Sequence, residues 1–109
     1  MYIADGKTNG PAFFWPDGKR IAVMVTFDYD AEFLRISRAK SKGTTIGFTD
    51  FSRGQYGPHE GLARCLDMLD TMNIKSTFFV PGAVIETYRD TVEEIHRRGH
   101  ELACHGYQH

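Results

Sequence analysis

The sequence is poor in cysteine: Cys65 and Cys104 are the only two, and a single pair does not make a disulfide framework. It also lacks a long apolar run. The longest, from Ile21 to Val25, is far too short to cross a bilayer, so no membrane partner is expected. Excess charge of either sign is missing too. The formal net charge is −1, with acids and bases interspersed, and no basic stripe points to nucleic acid. There is no internal repeat and no low-complexity tract. The first ten residues do not have the basic-then-apolar order of a secretory leader, which makes a cytoplasmic location the expectation.

What is present is the composition of an ordinary globular chain, at a length of 109 residues that suits one small domain. Residues 1–20 are rich in Gly, Pro and Asp and read as an irregular arm. Phe13, Phe14 and Trp15 within it suit an aromatic plug, with a sugar-stacking platform as the alternative. From Arg20 to Phe27 the chain is nearly continuously apolar and β-branched, as in a strand buried on both faces of a parallel sheet. A polar, Gly-rich stretch from 35 to 57 reads as a long excursion, with a short helix near Leu34 to Lys40.

Leu62, Cys65, Leu66, Leu69 and Met72 then recur at helical spacing, and Asn73 can end that helix in the left-handed conformation. Within this stripe Cys65 reads as a small buried hydrophobe. Lys75 to Val80 reads as a second strand stopped by Pro81-Gly82, and Ala83 to Tyr88 as a short helical piece. Asp90 and Glu93 have capping-box spacing at the start of a further helix, which faces Val92 and Ile95 inward and stops at Gly99. His100 to His105 reads as a third strand. Strand, loop, helix, strand, helix, strand predicts an α/β chain of right-handed βαβ units on a parallel sheet, the first part of a barrel or of an open sheet.

Two groups of residues carry chemistry. Asp28 and Asp30 lie just past the first strand, at the end where active sites of α/β folds collect. Residues i and i+2 point the same way, so both carboxylates face one cavity, one suited to a metal and the other to act as a base. An Asp-rich turn capping the next segment accounts for them equally well. His105 and His109 form H-x-x-x-H, and on a helical turn both imidazoles reach one metal. Two surface histidines are the plainer alternative. One carboxylate with two histidines makes a ligand set that leaves positions open for water and substrate. Cys104 is a thiol beside this set, but strand alternation turns it away from His105 and toward the core.

These segments carry a family resemblance. Thr26-Phe27-Asp28-Tyr29-Asp30 resembles the first motif of the polysaccharide deacetylases (the NodB-homology group), and His105-Gly106-Tyr107-Gln108-His109 resembles the second, H-[ST]-x-x-H. Ser76 to Gly82 looks like the family's second strand, and Arg98 to His105 like the approach to the histidines. The resemblance spans Ile21 to His109. It implies an irregular (β/α) barrel, of which residues 21–109 are the N-terminal portion. The chain stops inside the second motif, so it reads as a fragment, inactive alone, that ends before the later His serving as leaving-group acid. Two departures are visible. Tyr29 separates the acids, which resembles the branch with peptidoglycan deacetylase-like and allantoinase-like proteins. Gly106 stands where the family usually has Ser or Thr.

By position, the resemblance implies that Asp28 is the general base and that Asp30, His105 and His109 bind a divalent metal, Zn²⁺ first, Co²⁺ or Ni²⁺ as alternatives. The implied activity is hydrolysis of a carbon–nitrogen bond, N-deacetylation of an amino sugar or peptidoglycan-type glycan. Cyclic-amide or imide hydrolysis and a non-catalytic carbohydrate-binding role are the alternatives. A phosphoryl-transfer enzyme of the haloacid-dehalogenase type also ends a strand in D-x-D, but has no need of His105 and His109. Arg53 and Tyr56 are candidate substrate contacts, and a Gly-Pro turn is the alternative for that stretch. Glu32 reads as a solvated loop acid, with a supporting partner of the nearby acid pair as the alternative; His96 reads as helix surface and His100 as structural. The partner implied is a carbohydrate or small amide, and self-association stays open.

Overall fold

The computed structural model describes residues 15–108. Phe13 and Phe14, most of the expected arm, and His109 lie outside the described residues. After a single 3₁₀ turn at Pro16–Gly18, the chain runs β1 (Thr26–Asp28), α1 (Phe33–Ser41) and α2 (Phe48–Tyr56), then α3 (Leu62–Thr71) and β2 (Thr77–Val80). It continues through α4 (Gly82–Thr87) and α5 (Arg89–Arg97) to β3 (Glu101–Cys104). The three strands form one parallel sheet in the order β1-β2-β3, with Thr26 opposite Thr77 and Phe79 opposite Ala103. The α/β alternation read from the sequence is therefore present.

The core follows from two apolar stripes packing on the central strand. Leu62, Leu66 and Leu69 of α3 are buried, as are Val92 and Ile95 of α5, with Phe78 of β2 between them. Phe78 stacks on Phe27 with centroids 5.0 Å apart. Cys65 is half-buried, and Met72 at the far end of the stripe is exposed. Asn73 (φ 52°) ends α3 in the left-handed region, as its side chain tolerates. Arg98, just past α5, ties the two helices together through Asp67 at 2.7 Å and Asp70 at 3.0 Å.

Four expectations are corrected. The first strand is three residues long, not eight. Ile21, Val23 and Met24 are 76%, 82% and 86% exposed, so this run is not buried on both faces. An apolar run shows only that a segment can be covered, and ladder pairing begins where β2 is alongside. The stretch from 35 to 57 is mostly helical. Residues 48–71 form one helical path, carried from α2 into α3 by a π turn at Gly57–Gly61. Pro58 has no N–H to donate at this point, which is the local reason for departing from α geometry. It is a change of helix, not a Gly-Pro turn. Asp90 lies inside α5, whose N-cap is Tyr88, and no side-chain capping bond forms. Cys104 is exposed, because β3 presents this face to an apolar hollow lined by Val80, Ile85 and Leu102.

His100 is structural, as its sequence context implies. It is buried, and its Nδ1 accepts the Ser76 backbone N–H at 3.2 Å, which fixes the neutral tautomer with the proton on Nε2. Burial, and then the nearby Lys75 ammonium, hold its pKa below the ordinary 6.5. The unfolded chain therefore takes up this proton first. The His100 contribution to stability is complete above about pH 6.5 and is lost as pH falls from there toward the folded-state pKa. Urea unfolding between pH 7.5 and 5 should show stability declining with acid, and His100→Gln should flatten that slope. An unchanged slope in the variant would rule out His100 as its source.

Candidate active site

The parallel register places the ends of β1, β2 and β3 at one edge of the sheet, and the candidate residues lie in the loops just beyond. Tyr29 N–H donates to Phe79 O at 2.9 Å, extending the pairing one residue past β1. Asp30 follows, and then Ala31, which sits at φ 50° and turns the chain sharply into α1. From the other side of β2, His105 emerges past β3, edge-on to the Phe79 ring at 6.4 Å. The two side chains meet. Asp30 Oδ1 lies 3.5 Å from His105 Nε2, with both side chains largely buried.

The loop after β3 is held by α4. Gly82 and Ala83 donate their N–H groups to Gly106 O and Tyr107 O at 2.9 and 3.0 Å. A Cβ on Gly82 would lie 2.7 Å from the Tyr107 ring, so only glycine lets the loop sit this close. Gly106 itself has φ 71°, a left-handed conformation that explains glycine at a position where Ser or Thr was expected. Residues 105–108 are accordingly an irregular loop rather than the helical turn expected for H-x-x-x-H.

The loop after β1 is anchored by residues that the sequence reading undervalued. Glu32 is not a solvated loop acid: it is 5% exposed, and Tyr88 Oη donates to both its carboxylate oxygens at 2.9 Å. Thr91 Oγ1 spends its proton on Tyr88 O at 2.7 Å, so Tyr29 Oη is the donor in the 2.8 Å bond between Tyr29 and Thr91. Burial pushes the Tyr29 hydroxyl up to about 12, keeping that donor protonated across the working pH range. Gly54 of α2 abuts this loop so closely that a Cβ would fall 2.4 Å from Glu32 Cα. The cue in the sequence was the glycine opposite a loop acid, which spacing alone does not pair.

Asp28, Tyr29 and Asp30 border an open groove of about 270 Å³, closed on the far side by Arg35, Arg38, Arg53 and Gly54. Asp28 is exposed and faces it from the end of β1. Arg53 is thus placed beside both candidate acids. Tyr56 is half-exposed, lies against Gly61 and does not border this groove. His96 is on the surface and His59 packs edge-on to Tyr88.

Asp30 and His105 also bear on metal binding. Asp30 Oδ1 is buried and takes no hydrogen bond from a described residue, although a carboxylate oxygen in that position needs a partner. Donor atoms sharing a zinc ion each sit about 2 Å from it, so one ion suits a carboxylate oxygen and an imidazole nitrogen this close together. The two residues therefore fit a divalent metal. Among the described residues no group of three His, Cys, Asp or Glu converges, and His109 lies outside them.

Two substitutions test the anchoring. Gly54→Ala should push α2 off the loop and cost roughly 1–3 kcal/mol. Tyr88→Phe should leave the Glu32 carboxylate buried without its donor, at a cost of roughly 1–3 kcal/mol. Both are read by urea denaturation, and a stability within about 0.5 kcal/mol of wild type, as for ordinary surface positions, would show that the anchor is not needed.

Known proteins resemble this chain over most of its length. The family model for polysaccharide deacetylase matches residues 16–109. The peptidoglycan deacetylase of Helicobacter pylori is 37% identical over 60 residues, covering 55% of this chain and 20% of that protein. A peptidoglycan deacetylase-like protein of Gibberella zeae is 31% identical over 93 residues, covering 84% and 27%. A solved structure from Mycobacterium smegmatis, assigned to the polysaccharide deacetylases, superposes with a TM-score of 0.75 at 41% identity. That match covers 90% of this chain and 34% of the other. The chain thus spans between a fifth and about a third of the length of these relatives. With its D-x-D loop and its histidine loop at one end of a parallel sheet, the chain belongs to the polysaccharide deacetylase family.

Proposed function

We propose that this chain is the N-terminal portion, residues 21–109, of the catalytic barrel of a metal-dependent hydrolase. The substrate proposed is an N-acetylated amino sugar in a peptidoglycan-type glycan. The observation that carries the reading is the meeting of Asp30 Oδ1 and His105 Nε2 at 3.5 Å, from opposite sides of β2. Asp30, His105 and His109 are the residues that would hold the metal, Zn²⁺ first, with Co²⁺ or Ni²⁺ as alternatives. When bound, the metal supplies Lewis acidity toward the amide carbonyl and makes water acidic enough to deprotonate near neutral pH.

Asp28 is the base in this reading. It borders the groove from the end of β1, two residues before Asp30, and is exposed enough to receive a proton from water. Tyr29 between them is directed into the core by its bond to Thr91, so the two acids share one side of the loop. Arg53, which borders the groove, is the proposed substrate contact; Tyr56, expected beside it from the sequence, lies outside this groove. The relatives support a glycan: two of them are a peptidoglycan deacetylase and a peptidoglycan deacetylase-like protein.

Metal analysis of the full-length protein tests the reading. Wild type should carry about one equivalent, and Asp30→Ala, His105→Ala and His109→Ala should each lose it. Asp28→Asn should retain the metal while acetate release from an N-acetylated glycan falls by about 10²–10⁴-fold, the usual contribution of a general base. A folded wild type that holds no metal and gains none on addition would sink the proposal. A His105→Ala enzyme of undiminished activity would do the same and revive phosphoryl transfer.

A further inference from the structure

The groove beside the acid pair is lined by more positive charge than the proposed reaction requires. Arg35 and Arg38 of α1 and Arg53 of α2 all border it. Arg35 and Arg38 also border a second hollow of about 230 Å³ with Lys42, Thr44 and Asp50, so the two cavities share a wall. Arg35 is ion-paired with Asp50 at 3.3 Å, which clasps α1 to α2. Arg38 and Arg53 make no ion pair with a carboxylate among the described residues.

This differs from the helices on the other side of the fold. Arg64 faces Glu60, Arg89 faces Glu93, and Arg97 and Arg98 engage Glu94, with Arg98 also reaching Asp67 and Asp70. The arginines of α3 and those of and just past α5 are matched by carboxylates; on the two helices that wall the groove only Arg35 is matched, and Arg38 and Arg53 are not. A guanidinium group presents paired N–H donors that fit a carboxylate in bidentate fashion.

We propose that Arg38 and Arg53 form an anion subsite that selects substrates bearing a carboxylate near the amide to be cleaved. The proposal rests on the hydrolase reading above and adds a substrate class to it. A carboxylate is preferred to a phosphate on electrostatic grounds. Asp28 and Asp30 line the same groove, and a monoanion meets less repulsion from them than a group carrying nearly two charges. Arg35, already paired with Asp50, supports the wall without being the principal contact.

The test uses the full-length protein and two probes differing in one charge: N-acetylmuramic acid and its carboxyl methyl ester. Binding is measured by calorimetry and acetate release by kcat/KM. Wild type should favour the free acid by roughly tenfold or more, the usual weight of a charge-assisted pair. The preference should weaken as salt is raised. The Arg38→Gln, Arg53→Gln double variant, checked for folding by circular dichroism, should bring the ratio toward one. The Arg38→Lys, Arg53→Lys variant should keep part of it. Equal binding of acid and ester by wild type, or a preference that survives in the glutamine variant, overturns the subsite. Selective binding of the acid without acetate release leaves the subsite standing and removes the deacetylase reading. Acetate release without selectivity does the reverse.

Discussion

The hydrogen bonding of β2 on both of its sides is the constraint on which the site depends. With Thr77–Val80 paired to β1 and to β3 in parallel, the segments leaving both outer strands must emerge at one end. Strands two places apart in a sheet are separated by about 9–10 Å, so a group leaving β1 and a group leaving β3 do not meet unless their loops lean inward. Both do, over Phe79. The first is drawn in by the Tyr29–Phe79 backbone bond and the turn at Ala31, the second by the two N–H groups at the start of α4. Phe78, on the opposite face of the same strand, is 1% exposed and fixes β2 to the helices below. One short strand therefore anchors the core with one residue and brings the chemistry together over the next.

The acids near the site are treated in different ways. Glu32 is taken out of water and satisfied by a phenol, a neutral donor that holds a carboxylate without cancelling its charge. Asp30 is nearly as withdrawn but is aimed at an imidazole across the sheet. Asp28 stays in solvent at the groove. Three carboxylates within five residues thus have structural, ligand-like and base-like surroundings. The difference arises from which neighbour the chain brings to each, since the side chains are nearly the same.

Much of this was legible in the residues. Helical periodicity located α3 and α5 because each has one apolar stripe and a left-handed residue, Asn73 or Gly99, at its end. A short aromatic and β-branched run located β2, and the helix stop at Gly99 left the following segment to read as β3. The D-x-D and histidine loops were legible because polar residues directly after a strand are exposed to one another's company. Illegible were the features that depend on contacts distant in sequence. Nothing local to Glu32 shows that Tyr88, fifty-six positions later, will cover it. Nothing in Phe48–Tyr56, with its Gly, Ser and Thr, outweighs the look of a loop until it packs beside α1. The β1 reading failed for a related reason, since hydrophobicity at Ile21 to Met24 does not reveal whether a covering partner is alongside.

The π turn at Gly57–Gly61 also sets rotational phase. A π turn holds about one residue more than an α turn, and one residue corresponds to about 100° around a helix axis. The faces of α2 and α3 are therefore offset by the very residue that the turn absorbs. That offset lets Leu62, Leu66 and Leu69 point into the core while Gly54 meets Glu32 and Arg53 looks into the groove. Removing a single residue there would leave a regular helix that is intact as a helix and wrongly dialled. Its two halves could satisfy the core or the groove, and no longer both.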